Sequence, residues 1–199
     1  MEFPSPAAGQ VSADREQAAL NRARTGDLAA FEPLVKTHWP RANRYACALV
    51  RDPHEALDLC QEAFVRAWKA MPGFEPGRPF FPWFARILRN VCFTHLEKQK
   101  RNPVRPGERD GLELLLQETS PEDDPAGRFA RREQAALTGK ALASLSVDHR
   151  EILVLRHFED LAYDEIADVL ALPLGTVMSR LFHARKNLVR AMRDLDSVE

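Results

Sequence analysis

The sequence predicts an all-α protein: two small helical domains joined by a flexible acidic linker. Three observations predict it. Apolar residues recur at helical spacing along most of the chain, strand-type alternation is essentially missing, and a proline-bearing acidic stretch parts two periodic halves. A length of 199 residues suits one medium domain or two small ones. With 45% hydrophobic residues the chain can build real cores, and 29% charged residues suit a soluble surface. No stretch approaches the length of a membrane-spanning helix, and MEFPSPAAGQVSADRE lacks a basic region followed by an apolar run. Neither membrane insertion nor a signal peptide is expected, which places the chain in the cytoplasm by default.

Residues 1–13 hold Pro, Ala and Ser without periodicity and read as a disordered lead. The first domain is expected over 14–101. From Asp14 the pattern is helical through Ala18, Ala19, Leu20 and Ala23, and Gly26-Asp27 breaks it. Phe31, Leu34 and Val35 begin a second helix, with Pro33 expected in its first turn. Pro40 is expected to end or bend that helix at Trp39, before Tyr45, Leu49 and Val50 resume the apolar face. Asp52 can cap the next helix, with Pro53 at its first position and Glu55 at capping-box spacing. Positions 57, 60, 64, 67, 68 and 71 then form an apolar stripe through EALDLCQEAFVRAWKAM. A Phe-rich loop holding Pro72, Gly73, Pro76, Gly77 and Pro79 follows, and a helix is expected over roughly Trp83 to Lys100.

The linker is expected over 102–130, with a short helical turn at Leu112–Leu116. The second domain, 131–199, is helical with interruptions near Ser144–Val147, Glu159–Ala162 and Ala171–Leu174. Cys47, Cys60 and Cys92 form no CxxC pair and sit in apolar patterns, so they read as buried free thiols.

A net charge of −1 conceals segregation. Residues 86–109 hold seven Lys/Arg against two acids, residues 174–193 hold five and no acid, and residues 110–125 hold six acids and no base. Two basic patches, each on a predicted helix and parted by an acidic spacer, fit two DNA contacts better than one uniformly charged surface, with a solvated face as the competing reading of each run. The segment DEIADVLALPLGTVMSRLFHARKNL has helix–short turn–helix form. Val177, Leu181, Ala184 and Leu188 make one apolar stripe, so Thr176, Ser179, Arg180, His183 and Asn187 project from another face, followed by Arg185, Lys186, Arg190 and Arg193. Such a helix can lie in the major groove. Helix count alone favours the competing reading, an ordinary amphipathic helix of a bundle; the short turn, the acid-free basic face and the preceding small helix Tyr163–Leu170 together put DNA binding ahead.

GDLAAFEPLV, DPHEALDLCQEAFVRAW, PFFPWFARILRNV and DEIADVLALPLGTVMSRLFHARKNL, in that order, resemble the extracytoplasmic-function (ECF) sigma factors, the two-domain members of the sigma-70 family. The resemblance covers roughly 18–101 and 131–193. It implies a non-enzymatic subunit, needing no cofactor, that directs promoter-specific transcription initiation. Region 2 would bind core RNA polymerase and the −10 element, and region 4 the −35 element. It also implies contacts to the polymerase β′ clamp helices and β flap, and control by an anti-sigma factor that reports a stress.

By resemblance, Asp58, Gln61 and Glu62 match the polymerase-binding face, and 58, 61, 62 and 65 share one side of their helix. Carboxylates there suit charge-assisted contacts to arginines on the clamp. The Phe74–Pro82 loop and the next helix resemble the −10 reader, with Arg86, Arg89, Asn90, His95 and Lys98 as contacts and Asn90 as the base reader. Phe80, Phe81 and Trp83 are candidates for stacking on bases, although core packing is the favoured job of Trp83 and Phe84. Thr176, Ser179, Arg180, His183 and Lys186 match the −35 reader. The chain departs from the family pattern at Met178, where Lys or Arg is common, at Ala162, in place of a capping Ser, and at Ala171, in place of a turn glycine.

A stand-alone regulator using the same helix-turn-helix is the alternative, but it has no need of the DLCQEAFVRAW face. An enzyme is disfavoured, because His38, His54, His95, His149, His157 and His183 form no HxxxH or HExxH pattern and no glycine-rich phosphate loop is present.

Overall fold

A computed structural model describes residues 6–101 and 125–196, with side chains at 14–101 and 134–195. Eight α-helices and one 3₁₀ turn make up the described residues, with no strand among them. The first module holds α1 (Pro6–Arg24), α2 (Leu28–Val50), α3 (Pro53–Ala70), the 3₁₀ turn Met71–Gly73 and α4 (Phe80–Arg101). The second holds α5 (Pro125–Ser144), α6 (Val147–His157), α7 (Tyr163–Leu170) and α8 (Leu174–Asp196). The expected turn at Leu112–Leu116 and the acidic linker as far as residue 124 lie outside the described residues. No single helix among the described residues is long and apolar enough to cross a membrane.

Helix starts follow local chemistry. Asp27 caps α2 by accepting the Ala30 N–H at 3.2 Å. Asp52 caps α3 by accepting from His54 at 2.8 Å and Glu55 at 3.1 Å, with Pro53 at the first position. Glu55 itself reaches α4, where its carboxylate accepts from Gln99 Nε2 at 2.6 Å and lies 3.0 Å from His95 Nε2, so the reciprocal half of the expected capping box gives way to a helix–helix contact.

Several boundaries move from their expected places. α1 starts at Pro6, eight residues before Asp14, because Pro pre-sets the first helical φ and the following alanines favour helix. α5 likewise starts at Pro125, inside the segment expected to be linker. α4 begins at Phe80, ahead of Trp83. α2 runs unbroken through both Pro33 and Pro40, and Pro33 lies beyond its first turn. An interior proline costs about 3 kcal/mol. Burial of Phe31, Leu34, Tyr45, Leu49 and neighbours along the same helix offsets that cost.

The first core is aromatic. Phe64 stacks on Phe84 at 4.2 Å and Phe80 on Phe84 at 5.6 Å, while Phe31 lies against Trp68. Phe80 and Phe81 are 0% and 1% exposed, which removes them as base-stacking candidates. Their positions at the start of α4 turn them inward to fill the space under α2. Trp83 stays half-buried, edge-on to Phe74 at 5.0 Å. In the second module Leu142, Ile152, Leu155, Ile166, Val169, Val177, Leu181 and Ala184 continue the same buried cluster. All three cysteines are buried and free. Burial pushes the Cys47 thiol up to about 11 and the Cys92 thiol to about 12, and raises Cys60 as well.

Candidate polymerase and promoter interfaces

α3 separates two faces cleanly. Ala56, Leu59, Cys60, Ala63, Phe64 and Ala67 are buried, while Asp58, Gln61, Glu62 and Val65 point out. Leu57, expected inside, is 37% exposed and joins the outer face, because Leu59 takes the inward position. The outer face thus combines carboxylates with the apolar Leu57 and Val65. Glu62 is also paired with Arg66 one turn on, in a solvent-exposed bond.

On α4, Arg86, Asn90 and Lys98 are exposed, whereas Arg89 and His95 are partly buried and engaged. Arg89 Nε donates to Glu151 Oε1 at 2.9 Å, and His95 is held by Glu55. The exposed members and Trp83 line one side of the helix beside the Phe74–Pro82 loop. Glu16 of α1 reaches α2, where its carboxylate lies 3.4 Å from His38 Nε2. The hydrogen bond to His38, opposed by burial, holds the Glu16 carboxyl below its ordinary value.

α8 carries three longitudinal stripes. Val177, Leu181 and Ala184 are fully buried and Leu188 packs against the core. Ser179, His183 and Lys186 are exposed on the predicted reading side, with Thr176 and Arg180 half-buried beside them. Arg180 Nη1 lies 3.7 Å from Asp148, and Asn187 is spent on His149 at 3.1 Å. A third stripe was not foreseen. Leu174, Met178, Phe182 and Val189 are 49–65% exposed, an apolar band running beside the basic one. Met178 therefore belongs to this band and not to a charged contact. Spacing of four, four and seven marks the band in the sequence, where it had been overshadowed by the buried stripe.

The helix-turn-helix joint closes without the usual residues. Ala162 offers no side-chain cap; its N–H donates to Glu165 Oε2 at 2.8 Å. Ala171 takes the left-handed conformation, φ 53°, ψ 48°.

The Sigma-70 region 2 family matches residues 34–102, and the Sigma-70, region 4 family matches residues 136–188. The RNA polymerase sigma-H factor of Pseudomonas aeruginosa is 31% identical over 188 residues, covering 93% of this chain and 97% of the relative. The chain belongs to the ECF sigma factors of the sigma-70 family. The ECF RNA polymerase sigma-E factor of Escherichia coli K12 is 30% identical over 186 residues, covering 90% of this chain and 95% of that one. Among solved structures, CnrH in complex with the cytosolic domain of CnrY shares the fold at a TM-score of 0.63 and 26% identity, covering 92% of this chain and 99% of CnrH. As a sigma factor the protein is not an enzyme. It binds core RNA polymerase and promoter DNA and sets where transcription begins.

In this sigma factor the two modules are packed together by a polar network that the sequence reading missed. Glu159, at the α6–α7 corner, has a side chain with 0% exposure and accepts from Arg41 Nε and Arg44 Nε, each at 2.8 Å. Arg41 Nη2 also donates to the Glu159 carbonyl at 2.8 Å. Glu151 of α6 accepts from Tyr45 Oη at 2.6 Å and from Arg89. Its other oxygen, Oε2, is buried without a hydrogen-bond partner. Desolvation therefore raises the Glu151 carboxyl despite the opposing pull of Arg89. The same burial, with Glu151 beside it, lifts the Tyr45 hydroxyl well above its ordinary value. Arg150 is driven under the end of α2, donating to the Ala48 and Leu49 carbonyls and to Leu145 O at 3.2 Å, a cation on the negative end of a helix. The only sequence signal was polar residues inside apolar runs, at Arg150-Glu151 and Glu159; periodicity cannot say what lies opposite them.

Proposed function

We propose that this sigma factor docks on the polymerase β′ clamp helices through the outer face of α3, with Asp58, Gln61 and Glu62 as the contacts. The observation that carries the proposal is that all three side chains are exposed on one face whose opposite side is fully buried. A surface so acidic and so free of internal partners, Glu62–Arg66 aside, suits arginines arriving from outside.

α4 and its loop form the −10 reader. Arg86 and Lys98 supply phosphate contacts, Asn90 the base contact, and Trp83 the remaining accessible aromatic surface for an unstacked base. Arg89 and His95 join them once released from Glu151 and Glu55. α8 is the −35 reader, with Thr176, Ser179, Arg180, His183 and Lys186 towards the groove. The adjacent band of Leu174, Met178, Phe182 and Val189 supplies an apolar seat for the β flap. The domain limits follow: region 2 over 14–101, now with α1 continuing back to Pro6, and region 4 from 131 onward with α5 as its lead helix. The site of action is the cytoplasm, where the polymerase is. CnrH is in complex with the cytosolic domain of CnrY; an anti-sigma factor holds this chain in reserve by covering its working faces.

Transcription in vitro with core polymerase across a promoter library tests the role and the sequence preference together. Asp58→Arg is expected to abolish co-purification with core polymerase while leaving helix content unchanged. Undiminished binding by Asp58→Arg and by Glu62→Arg overturns the α3 assignment.

A further inference from the structure

We infer that Met178 and Phe182 read thymine methyl groups in the −35 duplex and so set which −35 sequence this sigma factor accepts. The inference rests on the −35 role proposed for α8. Phe182 is 65% and Met178 54% exposed, on a helix whose opposite side is buried. On a helix surface the neighbours of a side chain stand three and four residues away. Those of Phe182 are Met178, Ser179, Arg185 and Lys186. At about 100° per residue, Phe182 is turned by only about 40° from Lys186 and about 60° from Ser179. No orientation that puts Ser179 and Lys186 towards DNA can hold Phe182 away from it. The ring leans the same way: it meets the His183 ring edge-on, with centroids 5.4 Å apart and planes at 78°.

The apolar band is therefore two surfaces. Leu174 is turned about 140° from Ser179, and Val189 lies about 10 Å further along the axis than Phe182. Those two stay with the flap. Met178 and His183 bound an arc of about 140° that also holds Phe182, Lys186 and Ser179. An arc of that width fits the major groove, which is about 12 Å across and admits a helix about 10–12 Å thick. Charge points to the same occupant. From Leu174 to Arg193 the helix holds five Lys/Arg and no acid. Arg185, Lys186, Arg190 and Arg193 line the hollow that holds Phe182, against one acid, Asp194. An apolar centre with a cationic rim suits a base methyl between phosphate walls.

The chemistry of the two side chains selects what they read. A thioether and a phenyl ring bring no hydrogen-bond donor to the groove. Guanine, cytosine and adenine present hydrogen-bonding groups there, whereas thymine adds a C5 methyl. Against a polar base edge, Met178 or Phe182 would displace water without replacing its bonds; against a methyl, both surfaces leave water and no bond is lost. Four residues rise about 6 Å along the helix, so the two methyls lie roughly two base-pair steps apart, on either strand. Burial of one methyl corresponds to about fourfold in affinity.

Holoenzyme formed with core polymerase is titrated with promoter duplexes that carry the most active −35 element of a promoter library. Each thymidine of the element, on either strand, is replaced in turn by deoxyuridine, which keeps every hydrogen-bonding group and removes the methyl. Wild type is expected to lose about fourfold in affinity at one or two positions and nothing at the others. Met178→Ala and Phe182→Ala are each expected to bind the thymidine duplex more weakly and to become indifferent to deoxyuridine at one of those positions, a coupling read as a double-mutant cycle. Met178→Arg is expected to exchange thymine for guanine preference at its base pair. Circular dichroism checks that the variants keep their helix content; if Phe182→Ala does not, Met178→Ala carries the test alone. A −35 element without thymine on either strand, no deoxyuridine effect at any position, or an effect of wild-type size in both variants overturns the inference. So does a uniform loss by the variants on every −35 sequence, which would return both side chains to the flap. Failure of the −35 role itself reads differently: scrambling the whole element would then cost wild-type holoenzyme nothing.

Discussion

Ala171 holds a left-handed backbone (φ 53°) that an L side chain adopts at a cost of about 1 kcal/mol. Ala171→Gly is therefore expected to raise the stability of region 4 by about 0.5–1 kcal/mol, read as a higher urea midpoint at unchanged slope. Glu151 gives the second residue-scale expectation. Its folded-state pKa is raised by burial, with Asp148 adding to the shift and Arg89 and Tyr45 opposing it. Between the unfolded and the folded value the folded chain holds the extra proton, so stability falls as pH climbs through that window and is flat above it. Urea midpoints measured from pH 4.5 upward should show wild type losing ground relative to Glu151→Gln, which has no charge to bury; parallel curves would place the cause elsewhere. Glu16 has the opposite sign: its lowered pKa contributes stability that is lost as pH falls. Residue chemistry of this kind was partly legible beforehand. Asp52 and Pro53 announce the start of α3 because capping is local. The partners of Glu151 could not be read, since Tyr45 and Arg89 lie 106 and 62 positions away.

At the scale of the element, each working helix is a division of faces. α8 divides into buried, reading and apolar stripes, so substitutions along it should separate by stripe. Lys186→Ala is expected to weaken −35 duplex binding and lower the salt slope by about one unit, the signature of a lost phosphate contact. Arg180→Ala should do the same in holoenzyme, because its 3.7 Å pair with the exposed Asp148 is too weak to hold it back. A salt slope equal to wild type for both would remove them from the phosphate contacts. Helix existence and type were legible from spacing, and so were the breaks at Gly26-Asp27, Ser144–Val147 and Ala171–Leu174. What misled was proline. Pro33 and Pro40 carry a local penalty that a sequence window sees, while the burial of α2 along its length is a tertiary gain that it does not. The same limit explains Leu57 and Leu59: spacing alone leaves the inward face of α3 uncertain by one residue, and packing against α4 decides it.

The whole molecule sets which groups solvent can reach. The three cysteines lie buried in region 2, at most 2% exposed and with raised thiol pKa values. Ellman's reagent is expected to find no reactive thiol in the native protein and three after denaturation; rapid native labelling would mean that region 2 opens on its own. The sequence by itself determined the helical class, the two modules, the outward acidic face of α3 and the basic faces of α4 and α8. Each of these is written in short-range periodicity and charge, which neighbouring residues specify. Only the tertiary structure decided that Phe80 and Phe81 fill the core, that Arg89 is already occupied, and that Glu151 and Glu159 tie region 4 to region 2. Those outcomes depend on which distant surfaces meet, and that is set by burial and by the need of every desolvated charge for a partner.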